Sequence, residues 1–254
     1  MAVIHKNPVR KHRPVCILLD RSKSISSYNG RLMNGINRSA SEAVRKMKEL
    51  VLYRDMTEVL VIQFSTEPEV TAEFVPLADL SEQALTITQA RGCTDTGKAL
   101  LLALDMLDRR KAECKEKGEE YFQPLLFLLT DGYPDPGNPV RKEDVEPHAR
   151  AVKAYEERYA QAARRIKAME EADKLVFVAG GITVDDELRA DMDKLRELTG
   201  KTERVVELDC SGNLDSLSGF FELVLKATDS RPDFSPIVNM AKNIAFGKKA
   251  DEKS

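Results

Sequence analysis

Cys16-Ile17-Leu18-Leu19-Asp20-Arg21-Ser22-Lys23-Ser24 is a short apolar strand that ends abruptly in an Asp-x-Ser-x-Ser pentapeptide. A strand buried in a parallel sheet is apolar throughout, and the first polar residues beyond it lie at its C-terminal edge, where α/β sheets bind ligands. One carboxylate and two hydroxyls there suit a hard cation such as magnesium, which takes oxygen ligands and keeps some of its waters. With ordinary Asp and Ser frequencies the pentapeptide turns up by chance in about one chain of this length in fifteen. Its partners elsewhere in the chain therefore decide its meaning.

Downstream, Leu32, Ile36, Ala40, Ala43, Met47 and Leu50 recur at intervals of three and four, the mark of one helix face. Glu58 to Phe64 reads as the next strand, and Val70 to Leu77 as a short edge strand pairing with it. Leu100, Leu104 and Leu107 make the stripe of a helix that starts just after Thr94-Asp95-Thr96-Gly97, with Asp95 and Thr96 as its candidate caps. Leu125 to Thr130 is a buried strand running into the loop Asp131-Gly132-Tyr133-Pro134-Asp135-Pro136-Gly137. A long charged helix follows, with Val152, Tyr155, Tyr159, Ala162, Ile166 and Met169 inward. Leu175 to Ala179 is a further strand, ended by Gly180-Gly181; Leu188, Met192, Leu195 and Leu198 predict a helix, Arg204 to Leu208 a last strand, and Leu214, Leu217, Phe221 and Val224 a last helix. Strands alternating with helices at this spacing predict an α/β fold: a doubly wound, mainly parallel sheet with one short antiparallel edge strand and helices on both faces.

Composition agrees with one domain. The 254 residues carry 32% charged and 42% hydrophobic side chains, the balance of an ordinary soluble globule. A formal charge of -3 argues against a broad nucleic-acid footprint. The early run of Lys6, Arg10, Lys11 and Arg13 reads as a solvated arm, giving the expected division 1–11 arm, 12–228 domain and 229–254 tail. The N-terminus shows no apolar h-region, and no stretch of about 18 apolar residues occurs, so the expected placement is cytoplasmic with no membrane span. Cys16, Cys93, Cys114 and Cys210 are scattered without a Cys-x-x-Cys pair, and Cys16 reads as a small core residue. His5, His12 and His148 fall in a tail and near a helix start, so no catalytic histidine constellation is drawn.

Three segments are expected at one sheet edge: Asp20-Arg21-Ser22-Lys23-Ser24, Thr94 and Asp131. The chain here resembles von Willebrand factor A domains, in which DxSxS, a Thr in a T-x-T-G-like loop and a strand-end Asp surround one divalent cation, the metal-ion-dependent adhesion site. The resemblance covers about residues 12 to 227 and includes VFVAGGIT and the Leu195-Arg196-Glu197-Leu198-Thr199 helix end. It implies Mg2+ or Mn2+ ligated by the Ser22 and Ser24 hydroxyls, with Thr94 direct or through water, and with Asp20 and Asp131 acting largely through coordinated waters. It further implies binding of an Asp or Glu carboxylate from a partner protein, and no catalysis. The LLD-x-S-x-S and LLTDG segments look like the bacterial TerY-like branch, associated with tellurite resistance, stress response or phage defence beside protein kinases and phosphatases.

Two residues depart from the family pattern. Arg21 and Lys23 add positive charge beside the ion, which weakens its binding unless they point away or serve the ligand carboxylate, and a Lys23 ammonium neutralising Asp20 and Asp131 would replace the metal. A metal-free scaffold is therefore one alternative. Another is a nucleotide-binding enzyme, since Gly92-Cys93-Thr94-Asp95-Thr96-Gly97-Lys98-Ala99 nearly spells GxxxxGK[ST] and LLFLLTD resembles a Walker B strand, although Ala99 lacks the hydroxyl that holds magnesium. An aspartyl phosphatase would need a second Asp where Ser22 stands. Asp95 and Asp135 are expected in solvent near the mouth of the site.

Overall fold

A computed structural model describes residues 9–49, 54–132, 136–137 and 145–229. One sheet is built from β1 (Lys11–Asp20), β2 (Thr57–Phe64), β3 (Pro68–Pro76), β4 (Glu120–Tyr121), β5 (Leu125–Thr130), β6 (Val176–Thr183) and β7 (Val205–Asp209). Its order is β3-β2-β1-β5-β6-β7, with β4 pairing to β1 off this path. Every pairing is parallel except β2 with β3, which is antiparallel. The expected fold class is thus observed. Among the described residues the α-helices are α1 (Arg31–Glu49), α2 (Thr96–Glu116), α3 (Val145–Glu171), α4 (Met192–Arg196) and α5 (Asp215–Asp229).

Strand periodicity sorts the core. Along β1, Val15, Ile17 and Leu19 enter one apolar layer with Leu32, Ile36 and Met47 of α1 and with Leu217, Phe220 and Val224 of α5. Cys16 and Leu18 enter the opposite layer, with Leu100 and Leu104 of α2 and with Tyr159 and Ile166 of α3. Both faces are covered, so β1 is buried along nearly its whole length, which is why it reads as an apolar run rather than an alternating one.

The structure corrects several boundaries. β6 continues through Gly180 and Gly181 instead of ending at Ala179. A Cβ on Gly180 would lie 2.9 Å from Phe220 and Leu208, and one on Gly181 2.7 Å from Leu195 and Met192. These glycines are close-approach positions in a strand, not a turn. The helix expected from Leu188 starts at Met192 with Asp191 as its cap, while the Leu188 carbonyl accepts the Val184 amide at 2.8 Å. Lys11 and Arg13 belong to β1 rather than to a solvated arm, and the Arg13 guanidinium donates to the Thr228 carbonyl at 2.9 Å, tying the end of α5 to the sheet. His12, expected in a tail, is a buried residue of β1. Lys6, Leu50, Asp135 and the stretch 230–254 lie outside the described residues.

Candidate metal centre at the sheet edge

The parallel register sets Leu19 of β1 beside Leu129 of β5, so both strands end together and their first polar residues meet. Thr130 donates its hydroxyl proton to Asp20 Oδ2 at 2.6 Å, and the Ser22 amide donates to Asp20 Oδ1 at 2.8 Å. Asp20 is 1% exposed, so both bonds are made in a dry setting that orients its carboxylate. The pentapeptide then curls into a 3₁₀ turn over Lys23–Ser26, which brings the Ser22 and Ser24 hydroxyls to 2.9 Å from each other.

The segment before α2 is stitched to the same edge. Arg91 donates its amide to the Arg21 carbonyl at 2.9 Å, Lys23 to the Gly92 carbonyl at 3.1 Å, and Asp95 to the Ser65 carbonyl at 2.9 Å. Thr94 is buried there, and its Oγ1 would stand 3.7 Å from a Cβ placed on Gly132, next to Asp131. The structure therefore brings Asp20, Ser22, Ser24, Thr94 and Asp131 to one place. Thr130 is the participant that the sequence reading missed. Its signal was present, since it is the first polar side chain closing the apolar run LLFLL.

Asp131 carries the chemistry of the cluster. It is 3% exposed, and neither carboxylate oxygen has a hydrogen-bond partner. Burial, and then the neighbouring Asp20 charge, push its pKa up to about 8; burial likewise raises that of Asp20 against its bonds from Thr130 and Ser22. A buried carboxylate without a donor costs several kcal/mol on the order seen for unpaired polar groups. A divalent cation bound among hydroxyls and carboxylates removes that cost, and an all-oxygen donor set of this kind fits a hard ion. The residues present thus fit the cation that the fold implies.

The two basic residues turn out not to occupy this space. Arg21 Nη2 pairs with Glu69 Oε2 of β3 at 2.6 Å, and Lys23 is exposed. The Asp131 oxygens are unpartnered, so Lys23 does not neutralise them. Asp95, expected in solvent, is fully buried: it caps α2 by accepting the Lys98 amide at 3.0 Å and forms an ion pair with Arg158 of α3. That same cap removes the phosphate-loop geometry, because the helix N-terminus already holds a carboxylate. The Lys98 ammonium pairs with Glu67 at 2.6 Å, and residues 86–92 form no strand. Gly97 is glycine because α3 crosses it, with the Tyr159 amide nitrogen 2.5 Å from where a Cβ would be. His12, Cys114 and Glu119 form a separate cluster that also escaped notice in the sequence, since its members converge only through the fold.

Comparison with known proteins supports the same frame. The model of the von Willebrand factor type A domain matches residues 15–219. Among solved structures, a von Willebrand factor type A protein from Catenulispora acidiphila superposes with a TM-score of 0.53 at 16% identity, over 86% of this chain and 43% of that one. Proximal thread matrix protein 1 from the mussel byssus, with its MIDAS motif occupied by zinc, gives a TM-score of 0.54 at 16% identity over 87% of this chain and 49% of that one. The pilus adhesin SpaC from Lactobacillus rhamnosus GG gives 0.60 at 16% identity over 86% and 31%. The chain spans less than half the length of these structures. A comparison with curated protein sequences finds no relative. With the matched segment running from the core of β1 into α5, the chain belongs to the von Willebrand factor type A domain family.

Proposed function

We propose that the protein is a metal-dependent protein-binding module, with Mg2+ or Mn2+ held by Ser22, Ser24 and Thr94 and by Asp20 and Asp131, and with no catalytic activity of its own. When bound, the cation supplies an electrophilic position open to an Asp or Glu carboxylate of a partner. The chain's residues do the rest. Thr130 and the Ser22 amide hold the Asp20 carboxylate in one orientation, and the Ser22 and Ser24 hydroxyls face each other across the turn. The observation that carries the reading is Asp131: a buried carboxylate with no donor for either oxygen, at the edge where parallel sheets bind ligands. The zinc-occupied MIDAS named for proximal thread matrix protein 1 supports a divalent ion in this fold.

Titration with magnesium and manganese, followed by calorimetry, tests the site directly. Binding that disappears in Asp20→Ala supports it, and no binding at millimolar ion would sink it. Capture of partners in magnesium and in chelator then tests the carboxylate: identical partner sets in both conditions contradict metal-mediated recognition. Membership of the TerY-like branch, with a cytoplasmic place beside a kinase or phosphatase in tellurite resistance, stress response or phage defence, rests on the LLD-x-S-x-S and LLTDG segments. Among the described residues no helix is long and apolar enough to cross a membrane.

A further inference from the structure

The opposite end of β1 carries a cluster that the adhesion-type site does not use. The chain leaves α2 through a closed turn in which the Gly118 amide donates to the Lys115 carbonyl at 3.1 Å and the Glu119 amide to the Cys114 carbonyl at 2.8 Å. Gly118 takes φ +68 there, so this is the six-to-one, five-to-two pattern that commonly ends helices. The two positions bracketing such a turn usually make an apolar contact. Here they are a thiol and a carboxylate. β4 then locks the turn against β1, with Lys11 beside Glu120 and His12 beside Tyr121, and with the Phe122 amide donating to the His12 carbonyl at 2.8 Å.

His12 is 3% exposed and its two ring nitrogens face different groups. Nδ1 lies 3.1 Å from Glu58 Oε2. Arg110 holds that same Glu58 through Nε at 2.8 Å and Nη2 at 2.7 Å. Arg110 Nη2 is also 3.2 Å from Nδ1, and with two N–H bonds it reaches both Glu58 and the ring. With Nδ1–H turned to Glu58, the way a carboxylate holds a metal-binding histidine, Nε2 carries the lone pair. Nε2 sits 2.9 Å from Glu119 Oε2, yet out of line for a hydrogen bond, so it remains a buried nitrogen without a partner. A proton or a metal ion between or beside two electron-rich atoms this close offsets their repulsion. A ring nitrogen of His12, the Cys114 thiol and a Glu119 carboxylate oxygen lie within 4.8 Å of one another. Ligands of a tetrahedral zinc ion stand about 3.3–3.8 Å apart given its usual bond lengths, close to the spacing that these three atoms already have.

We propose that His12, Cys114 and Glu119 form a second metal site, selective for zinc, with Glu58 as the carboxylate that orients the histidine. Imidazole, thiolate and carboxylate are zinc's donors, and thiolate disfavours magnesium. A zinc ion with one thiolate, one carboxylate and one neutral imidazole has no net charge, which suits a site this deeply covered. The fourth position is left for water. The ion would clip the end of α2 to the start of β1, about 26 Å from Asp20 along the strand, and it does not depend on the adhesion-type site.

Cobalt distinguishes the two sites, because only a thiolate ligand gives a near-ultraviolet charge-transfer band. The full chain, stripped with chelator, is titrated with cobalt. The expected result is such a band, saturating at one equivalent and abolished by zinc. It should persist in Asp131→Asn and in Cys93→Ala, and vanish in Cys114→Ala folded by circular dichroism. Glu119→Gln, on the outer side of the turn, serves as the second variant and should weaken cobalt binding by at least about tenfold, the lower bound for a partner outside the ligand set. No thiolate band in the wild-type protein, a band that survives Cys114→Ala, or unchanged affinity in Glu119→Gln overturns the proposal. The magnesium titration fails or succeeds separately.

Discussion

The two ends of β1 bury carboxylates in opposite ways. At the N-terminal end, Glu58 is wrapped by Arg110 and His12 and is fully satisfied. At the C-terminal end, Asp20 has only neutral donors and Asp131 has none. The first arrangement holds the fold together, since a buried ion pair is costly to break. The second leaves a buried carboxylate unpartnered at one point, where the proposed cation would supply the charge balance that the chain does not. Donor chemistry differs as well: oxygen alone at Asp131, and nitrogen, sulfur and oxygen around His12, which divides hard from borderline ions.

The contrast is broken most directly at Glu58. Glu58→Ala leaves Arg110 and His12 without their carboxylate and is expected to cost about 3–5 kcal/mol, read from urea unfolding midpoints. A cost under about 1 kcal/mol would show that the two ends are not different in kind. Next in size, Gly97→Ala drives a methyl group into the α3 backbone and should destabilise by about 1–3 kcal/mol on a thermal melt, with magnesium binding retained if the fold survives. Asp95→Ala removes the cap of α2 and strands Arg158, for a loss of about 1–2 kcal/mol in the same measurement. Asp131→Asn sharpens the comparison from the other side. In chelator it should unfold within about 1 kcal/mol of the wild type or later, since a buried carboxyl beside Asp20 is replaced by an amide that cannot ionise, while magnesium no longer raises the melting temperature. Smallest is Lys23→Ala, expected within about 0.5 kcal/mol with magnesium affinity little changed, because the residue is exposed and bonds neither carboxylate.

Much of the sheet was legible because a buried parallel strand has no polar face to confuse the pattern. ILLD, VLVIQF and LLFLLT marked three neighbouring strands and their ends. The misread boundaries were glycines and turns whose role is tertiary. Gly180 and Gly181 look like a loop in sequence and are strand positions because α5 and α4 press on them. Gly97 looks like part of a phosphate loop and is a helix crossing. Asp95 looked solvated because nothing nearby in sequence announces Arg158, 63 residues on.

By itself the sequence determined which residues stand at strand ends, since a run of apolar residues closed by Asp, Ser or Thr has only one sensible place in a doubly wound sheet. Asp20, Ser22, Ser24 and Asp131 follow from that local rule, and Thr94 from its place in the T-x-T-G-like loop before a helix. Tertiary structure alone decided where the charges beside them point. Arg21 is drawn to Glu69 on the antiparallel edge strand β3, Lys23 is exposed, and Asp131 is left without a donor. It also assembled His12 with Glu58, Cys114 and Glu119, residues that no spacing connects. Side-chain periodicity is a property of neighbours along the chain, whereas the pairing of a buried charge depends on which distant group the packing brings within hydrogen-bonding reach.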